Sequence, residues 1–416
     1  MKPSRAFLGN RGLVFLCLTT AICMMGNGIA TPLLPLFAQT FDITVAQIGS
    51  IISAFAFARI LINVPAGYFS ERFGRRLLLV GGPLIMGIAS LLTGVAGDIG
   101  QLVGYRFMTG IGSAMFTTGA MAYLADISLP ENRGQIIGYY QISFLVGVSF
   151  GPMVGGLVAD RWNYPTAFFL VGFLSLVSAI WAFFRIPETR GPGVTVSSGE
   201  VPHQTLEGGQ TWQGVVLLLG NPNFLLISFL TIGYFFTRTG SQHGLVPLLG
   251  HNRLGLTPGQ LGAIFTASAI TNLAGLLVSN AITDRIGRKR VIIPSTLICI
   301  IGLVLYVFSG SWWVFLVATL VSDLGSGLSG PAPAAYVTDL TPRGLYGVSM
   351  GIYRTFGDLG FVLGPVLLGW IADLTGSLET AILANAFLLT SVIAIFAFMS
   401  KERPRLPSPE AEVSLP

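Results

Sequence analysis

A chain of 416 residues carries a net charge of +5, yet only 10% of its side chains are charged and 52% are hydrophobic. With a mean hydropathy of +0.73, it is far poorer in charge than a soluble domain of this length. That composition excludes an ordinary soluble protein, and it ties the basic excess to membrane topology and lipid contact rather than to nucleic acid.

Twelve apolar runs are each long enough to cross the hydrocarbon core as a helix: 11–37, 46–66, 77–97, 100–124, 134–159, 165–185, 220–249, 258–280, 291–309, 312–336, 345–370 and 379–400. Barrel strands would be shorter and would alternate polar with apolar, so an all-α polytopic membrane protein is expected. The first run follows basic residues as a signal peptide does, but it is long and lacks a convincing cleavage site, so it is expected to be retained. Thr44, with Gln47 three residues on, fits the N-cap of the second run. In the fifth run Gly147, Gly151 and Gly155 share one helix face and permit close backbone approach, while Pro152 removes a donor and bends the helix. Tight packing and a part in helix rocking both account for that face.

After the sixth run, residues 187–213 are rich in Gly, Pro, Ser and Thr and read as a cytoplasmic linker. The linker separates an expected six-helix bundle at 1–186 from a second at 214–403. Residues 404–416, with four prolines, read as a disordered cytoplasmic tail. Cys17, Cys23 and Cys299 all fall within runs and form neither a disulfide framework nor a metal pattern. His203, His243 and His251 likewise lack zinc spacing, and there is no Walker sequence, so no metal, cofactor or ATP is expected.

The two halves repeat at a constant offset of 213 residues. Thr44-x-x-Gln47-x-Gly49 returns as Thr257-x-x-Gln260-x-Gly262, and Glu71-Arg72-Phe73-Gly74-Arg75-Arg76 as Asp284-Arg285-Ile286-Gly287-Arg288-Lys289. Tyr123-x-x-Asp126, Gly147-x-x-x-Gly151-Pro152 and Ala159-Asp160 return at Tyr336, Gly360 and Ala372. A duplicated hydrophobic bundle places a ligand site between its halves.

With both termini cytoplasmic, the cytoplasmic segments hold 17 Lys or Arg and the opposite side only Arg161 and Arg253, as the positive-inside rule requires. Six charges remain at membrane depth: Arg59, Arg106, Arg238, Asp323, Arg354 and Asp358. Such charges are expensive in lipid and face a cavity or a partner. Arg354 and Asp358, four apart, share a face and are close enough to pair. No basic residue lies within a turn of Asp323, and that isolation makes it the first candidate for a proton carrier, ahead of Asp358. Arg59 aligns with Asn272 and Arg354 with Gln141 across the repeat, so these four are expected to line the interior together with Asn27 and Arg238. Four arginines against two acids favour an anionic or carboxyl-bearing ligand over a lipophilic cation.

Gly67-Tyr68-Phe69-Ser70-Glu71-Arg72-Phe73-Gly74-Arg75-Arg76 resembles motif A of the major facilitator superfamily, with Glu71 in place of the usual Asp; in its second copy Asn280 replaces the leading Gly. Gly26-Asn27-Gly28 with Pro32 and Pro35 is similar to the first-helix motif of twelve-helix drug:proton antiporters. Arg106-x-x-x-Gly110-x-Gly112 resembles motif B, and Gly147 to Gly156 resembles the antiporter-associated motif C. The resemblance covers nearly the whole chain. It implies two pseudo-symmetric bundles, gating by Glu71, Asp284 and the neighbouring glycines and arginines (Gly67, Arg72, Gly74, Arg75, Arg76, Arg285, Gly287, Arg288), and a coupling role for Arg106. Many drug:proton antiporters also carry an acid in the first helix, and this chain has none there.

The resulting expectation is a monomeric, multi-pass transporter of the cytoplasmic membrane that exports a small amphipathic organic compound against protons and is not an enzyme. An importer or facilitator for an organic anion or sugar, and a membrane ligand sensor without turnover, are the alternatives.

Overall fold

The computed structural model describes residues 11–129, 132–189, 208–342 and 345–400. The first half consists of α1 (Arg11–Gln39), α2 (Val45–Phe73), α3 (Arg75–Gly94), α4 (Ile99–Ile127), α5 (Arg133–Arg161) and α6 (Tyr164–Arg185). A short α7 (Gly208–Leu219) precedes the second half. That half runs through α8 (Pro222–Phe236), a π-helical stretch at Thr237–Leu245, α9 (Val246–Leu254), α10 (Pro258–Ile286), α11 (Arg288–Val307), α12 (Trp312–Ser329), α13 (Ala332–Leu340), α14 (Tyr346–Thr375) and α15 (Leu378–Met399). Counting α8 through α9 as one span and α12 with α13 as another gives twelve, and the described residues contain no strand. Ten spans are long and apolar enough to cross a bilayer by length and composition; the other two are the Gly- and Thr-rich α4 and the seventh, which the π stretch interrupts.

Three details depart from the periodicity of the sequence. The linker expected to reach Gln213 turns helical at Gly208. The seventh run is not one regular α-helix, because the polar segment Thr237-Arg238-Thr239-Gly240-Ser241-Gln242-His243-Gly244 widens into a π turn. The tenth run breaks at Gly330-Pro331, where proline withholds the donor that α12 would need to continue.

Helix ends follow from local chemistry. Thr44 and Thr257 each close a capping box with the glutamine three residues on. Gly74 and Gly287, one repeat apart, sit at φ +96° and +102° in the sharp turns between α2 and α3 and between α10 and α11. A side chain there would be strained, so both copies keep glycine.

The halves meet through α2 against α14 and α5 against α10. One apolar cluster draws on both halves, joining Leu34, Ile48 and Ile52 to Leu245, Leu248 and Phe265. Each half also has a cluster of its own, around Phe116 and Tyr123 in the first and Phe224 and Phe396 in the second. Outward-facing side chains are strongly apolar, with Phe398, Phe387 and Phe184 at least 74% exposed. Such an exterior suits hydrocarbon rather than water.

Candidate functional site

The bundle has one end carrying the Gly74 and Gly287 turns, here called the turn end, and an opposite, distal end. The two halves touch closely at the distal end. A Cβ on Gly49 would lie 2.2 Å from the Pro365 carbonyl, and one on Gly262 2.3 Å from that of Pro152. Gly156 abuts the Pro258 carbonyl at 2.3 Å and Gly369 that of Val45 at 2.6 Å. Each contact is the repeat image of another, and only glycine permits it. The hydroxyls of Ser53 and Thr266, also one repeat apart, bond backbone groups beside the opposite half's prolines: Ser53 donates to the Val362 carbonyl at 2.5 Å, and Thr266 accepts from Met153 N–H at 3.1 Å. At the turn end the same helices diverge. Among the described residues, nothing lies within 4 Å of a Cβ built on Gly67, Gly134, Gly138, Gly347 or Gly351, and Val64 is 81% exposed. Among the described residues, the two halves are in contact at the distal end and apart at the turn end.

The small residues of α5 are used twice. Gly147 and Gly151 lie against the α1 backbone at Ala21 and Met25, and Gly155 against Ile29, within one half. Pro152 and Gly156 face α10 in the other half.

The embedded charges gather at mid-depth in three groups. In the first, Asp358 on α14 faces Arg59 on α2 across the interface between halves, and it also feels Arg354 on its own helix. Tyr140 on α5 borders Arg59. The expected Arg354–Asp358 pair is therefore shared with Arg59, and among the described residues no ion pair closes between these three. In the second group, Arg106 lines a small pocket with Asn27, Ser90, Thr93 and Thr109. The Phe55 ring links these two groups, with the Arg106 guanidinium 5.1 Å and the Arg59 guanidinium 5.9 Å from its centroid. Both arginines keep a buried Nε with no hydrogen-bond partner among the described residues.

The third group corrects a sequence expectation. Asp323 is not isolated, because Arg238 on the π stretch faces it, and Ser268 lies against its carboxyl group. Arg238 also faces His243, and Asn272 donates to the Asp323 backbone carbonyl at 3.1 Å. Gln141 stands apart, exposed on α5.

The turn end holds a network that sequence spacing revealed only in part. Arg75 donates from Nε to Asp126 at 3.0 Å, from Nη2 to Glu71 at 2.9 Å and from Nη1 to the Ser70 carbonyl at 2.7 Å. The second half repeats it: Arg288 donates to Asp339 at 3.0 Å and to the Thr283 carbonyl at 2.9 Å. The Tyr-x-x-Asp repeat thus supplies the carboxylate for each arginine. Arg72 lies 5.4 Å from the Phe73 ring centroid, Arg76 reaches the Phe183 carbonyl and ring, and Arg285 is exposed. The side chain of Asp284 lies outside the described residues. Arg133 donates from Nε to the Ser128 hydroxyl at 3.2 Å.

Glu188 falls within the stretch that composition reads as linker, yet it belongs to the turn-end network. Its carboxylate accepts from the N–H groups of Arg75 at 2.9 Å and Arg76 at 3.1 Å, while Thr189 donates to Asp126 at 2.7 Å. The signal was available in Gly74, because a glycine N-cap offers no side-chain acceptor and the first-turn donors of α3 must find one elsewhere. Glu188→Ala should lower stability by about 1 kcal/mol, read as a fall in melting temperature of the purified protein. An unchanged melting temperature would contradict the capping role.

The Major Facilitator Superfamily model matches residues 16–250 and 232–415. An uncharacterized MFS-type transporter of Methanocaldococcus jannaschii is 24% identical over 93% of this chain and 97% of its own length. Multidrug resistance protein 2 of Bacillus subtilis is 25% identical over 85% of this chain and 86% of its own. Among solved structures, a bacterial homolog of the human lysosomal transporter Spinster, inward-facing and unoccupied, superposes with a TM-score of 0.79 at 16% identity, covering 96% of this chain and 97% of that one.

Proposed function

The chain belongs to the Major Facilitator Superfamily, and on that premise we propose that it exports a small amphipathic organic compound in exchange for protons by alternating access. It is an integral multi-pass membrane transporter rather than an enzyme. The observation that carries the proposal is that, among the described residues, the halves touch closely at the distal end only, with charged groups from both halves facing one another at mid-depth. A ligand entering from the turn end meets Arg59, Arg354 and Asp358 on one side and Arg238 with Asp323 on the other. The concentration of basic side chains at the turn end supports a cytoplasmic location for it, so that the halves part toward the compartment from which an exporter loads. Multidrug resistance, in the name of the Bacillus subtilis relative, supports export of a foreign compound.

The carboxylates are the proton sites in this reading. Asp323 and Asp358 each face an arginine in the ionised form, and protonation releases that arginine. A cationic substrate competes with the proton for the carboxylate, which gives exchange. An anionic substrate instead competes with the carboxylate for the arginine, so it binds best when the proton is already aboard.

That logic favours a second reading. Arg59 and Arg106 present Nε donors without a partner among the described residues, and four embedded arginines outnumber two acids. If the substrate bears a carboxylate, proton and substrate travel together and the protein is an importer.

Acid-loaded everted vesicles with a pH-gradient dye separate the two. Cationic amphiphiles should dissipate the gradient in a protein-dependent way, and this is the result expected for exchange. Carboxylates that instead acidify the vesicle interior further in a protein-dependent way, because protons enter with them, would transfer the assignment to the second reading. Silence with both classes would contradict proton coupling.

A further inference from the structure

The repeated Ala159-Asp160 and Ala372-Asp373 pairs play no part in the cavity or the turn-end network. Both aspartates lie at the distal end, on helices of opposite halves, and each reaches across to the start of a helix in the other half. The Asp373 carboxylate, near the end of α14, accepts from Val45 N–H and Ala46 N–H, both at 2.8 Å, in the first turn of α2. Asp160, in the last turn of α5, accepts from Thr257 Oγ at 2.8 Å at the N-cap of α10. Both acids sit where a helix N-terminus favours negative charge.

The two sites differ for a reason written in the sequence. Val45 corresponds to Pro258, and proline has no N–H to give. Ala46 corresponds to Gly259, where a Cβ would lie 2.3 Å from the Asp160 carboxylate oxygen. Asp373 therefore grips two backbone donors, whereas Asp160 comes close over a glycine and takes a hydroxyl.

We propose that Asp160 and Asp373 form a paired clamp that holds the distal end shut, each carboxylate gripping the first turn of a helix in the other bundle. The clamp must release for the cavity to open at that end. It secures the face opposite the arginine turns, so each end of the protein has its own charge-based fastening. The inference requires only that the two bundles move relative to one another, and it is independent of substrate and coupling ion.

The test places nitroxide labels on Thr40→Cys and Thr375→Cys, exposed positions near the distal ends of α1 and α14, in protein reconstituted into liposomes. Pulsed electron resonance then reads the ratio of long to short distances. Asp373→Ala should raise that ratio about tenfold, equivalent to about 1.4 kcal/mol, as expected for two charge-assisted bonds. Asp160→Ala should raise it about threefold, since a single hydroxyl bond is lost.

Two further variants leave both carboxylates in place. Val45→Pro copies the residue of the second half at a position where proline is well tolerated; it removes one donor and should shift the ratio the same way as Asp373→Ala. Pro258→Ala supplies a donor to Asp160 and should shift the ratio the opposite way. Unchanged ratios in all four would overturn the clamp. A shift with Asp373→Ala while Val45→Pro and Pro258→Ala are both silent would overturn the gripping of backbone donors.

Discussion

Asp323→Asn should reduce proton-driven transport at least about hundredfold, the scale on which a positioned proton-transfer group acts, while solute-for-solute counterflow stays within a few-fold of wild type. Asparagine keeps the shape of the side chain and a partner for Ser268, so the site that also includes Arg238 and Asn272 persists. What it loses is the ability to take up and release a proton. A carrier that no longer titrates still rocks with substrate aboard, which is why counterflow survives and gradient-driven movement does not. Equal loss of both activities would mean that Asp323 supports the fold or binds solute. Equal preservation would move the proton to Asp358, which faces Arg59 across the two halves. In that case Asp358→Asn should show the pattern predicted for Asp323→Asn.

The second large effect is steric. Gly49→Val would drive a branched side chain into the Pro365 carbonyl, which a Cβ alone approaches to 2.2 Å. The obstacle is backbone of another helix and has no rotamer by which to yield. Overpacking of this kind costs about 3 kcal/mol, about a hundredfold in the ratio of distal-closed to distal-open protein, and transport should fall in proportion. Gly262→Val, the repeat image against Pro152, should behave alike. Gly97→Val, where none of the described residues would come within 4 Å of the Cβ, serves as the control and should transport normally. Wild-type transport by Gly49→Val would show that the distal closure is not part of the working cycle.

The repeat makes much of the architecture legible in the sequence. Twelve runs foretold twelve spans because a bilayer forces each crossing to satisfy its own backbone hydrogen bonds. The repeated glycines marked real backbone requirements: Gly74 and Gly287 for positive φ, Gly49 and Gly262 for contact between halves. Partners on different helices were not legible. Periodicity tells which residues share a face but not which helix that face meets, so Asp323 read as isolated although Arg238 faces it. The π stretch compounds this, since i,i+4 spacing no longer describes which side chains align where each turn holds an extra residue. Arg354 and Asp358 do share a face, but the same acid also faces Arg59 from another helix. Glu188 was hidden by composition, because it lies within a Gly-, Pro-, Ser- and Thr-rich stretch that reads only as linker.

The measurement that bears most directly on the proposed function is solute flux in liposomes holding the purified protein, with a proton gradient imposed and no other energy source. A solute that dissipates the gradient in everted vesicles should be driven against its own concentration gradient as protons run down theirs, and collapsing the proton gradient with an ionophore should return it to equilibrium. Solute that only equilibrates, at a rate and extent indifferent to the imposed gradient, would contradict proton-coupled transport and leave a facilitator in its place.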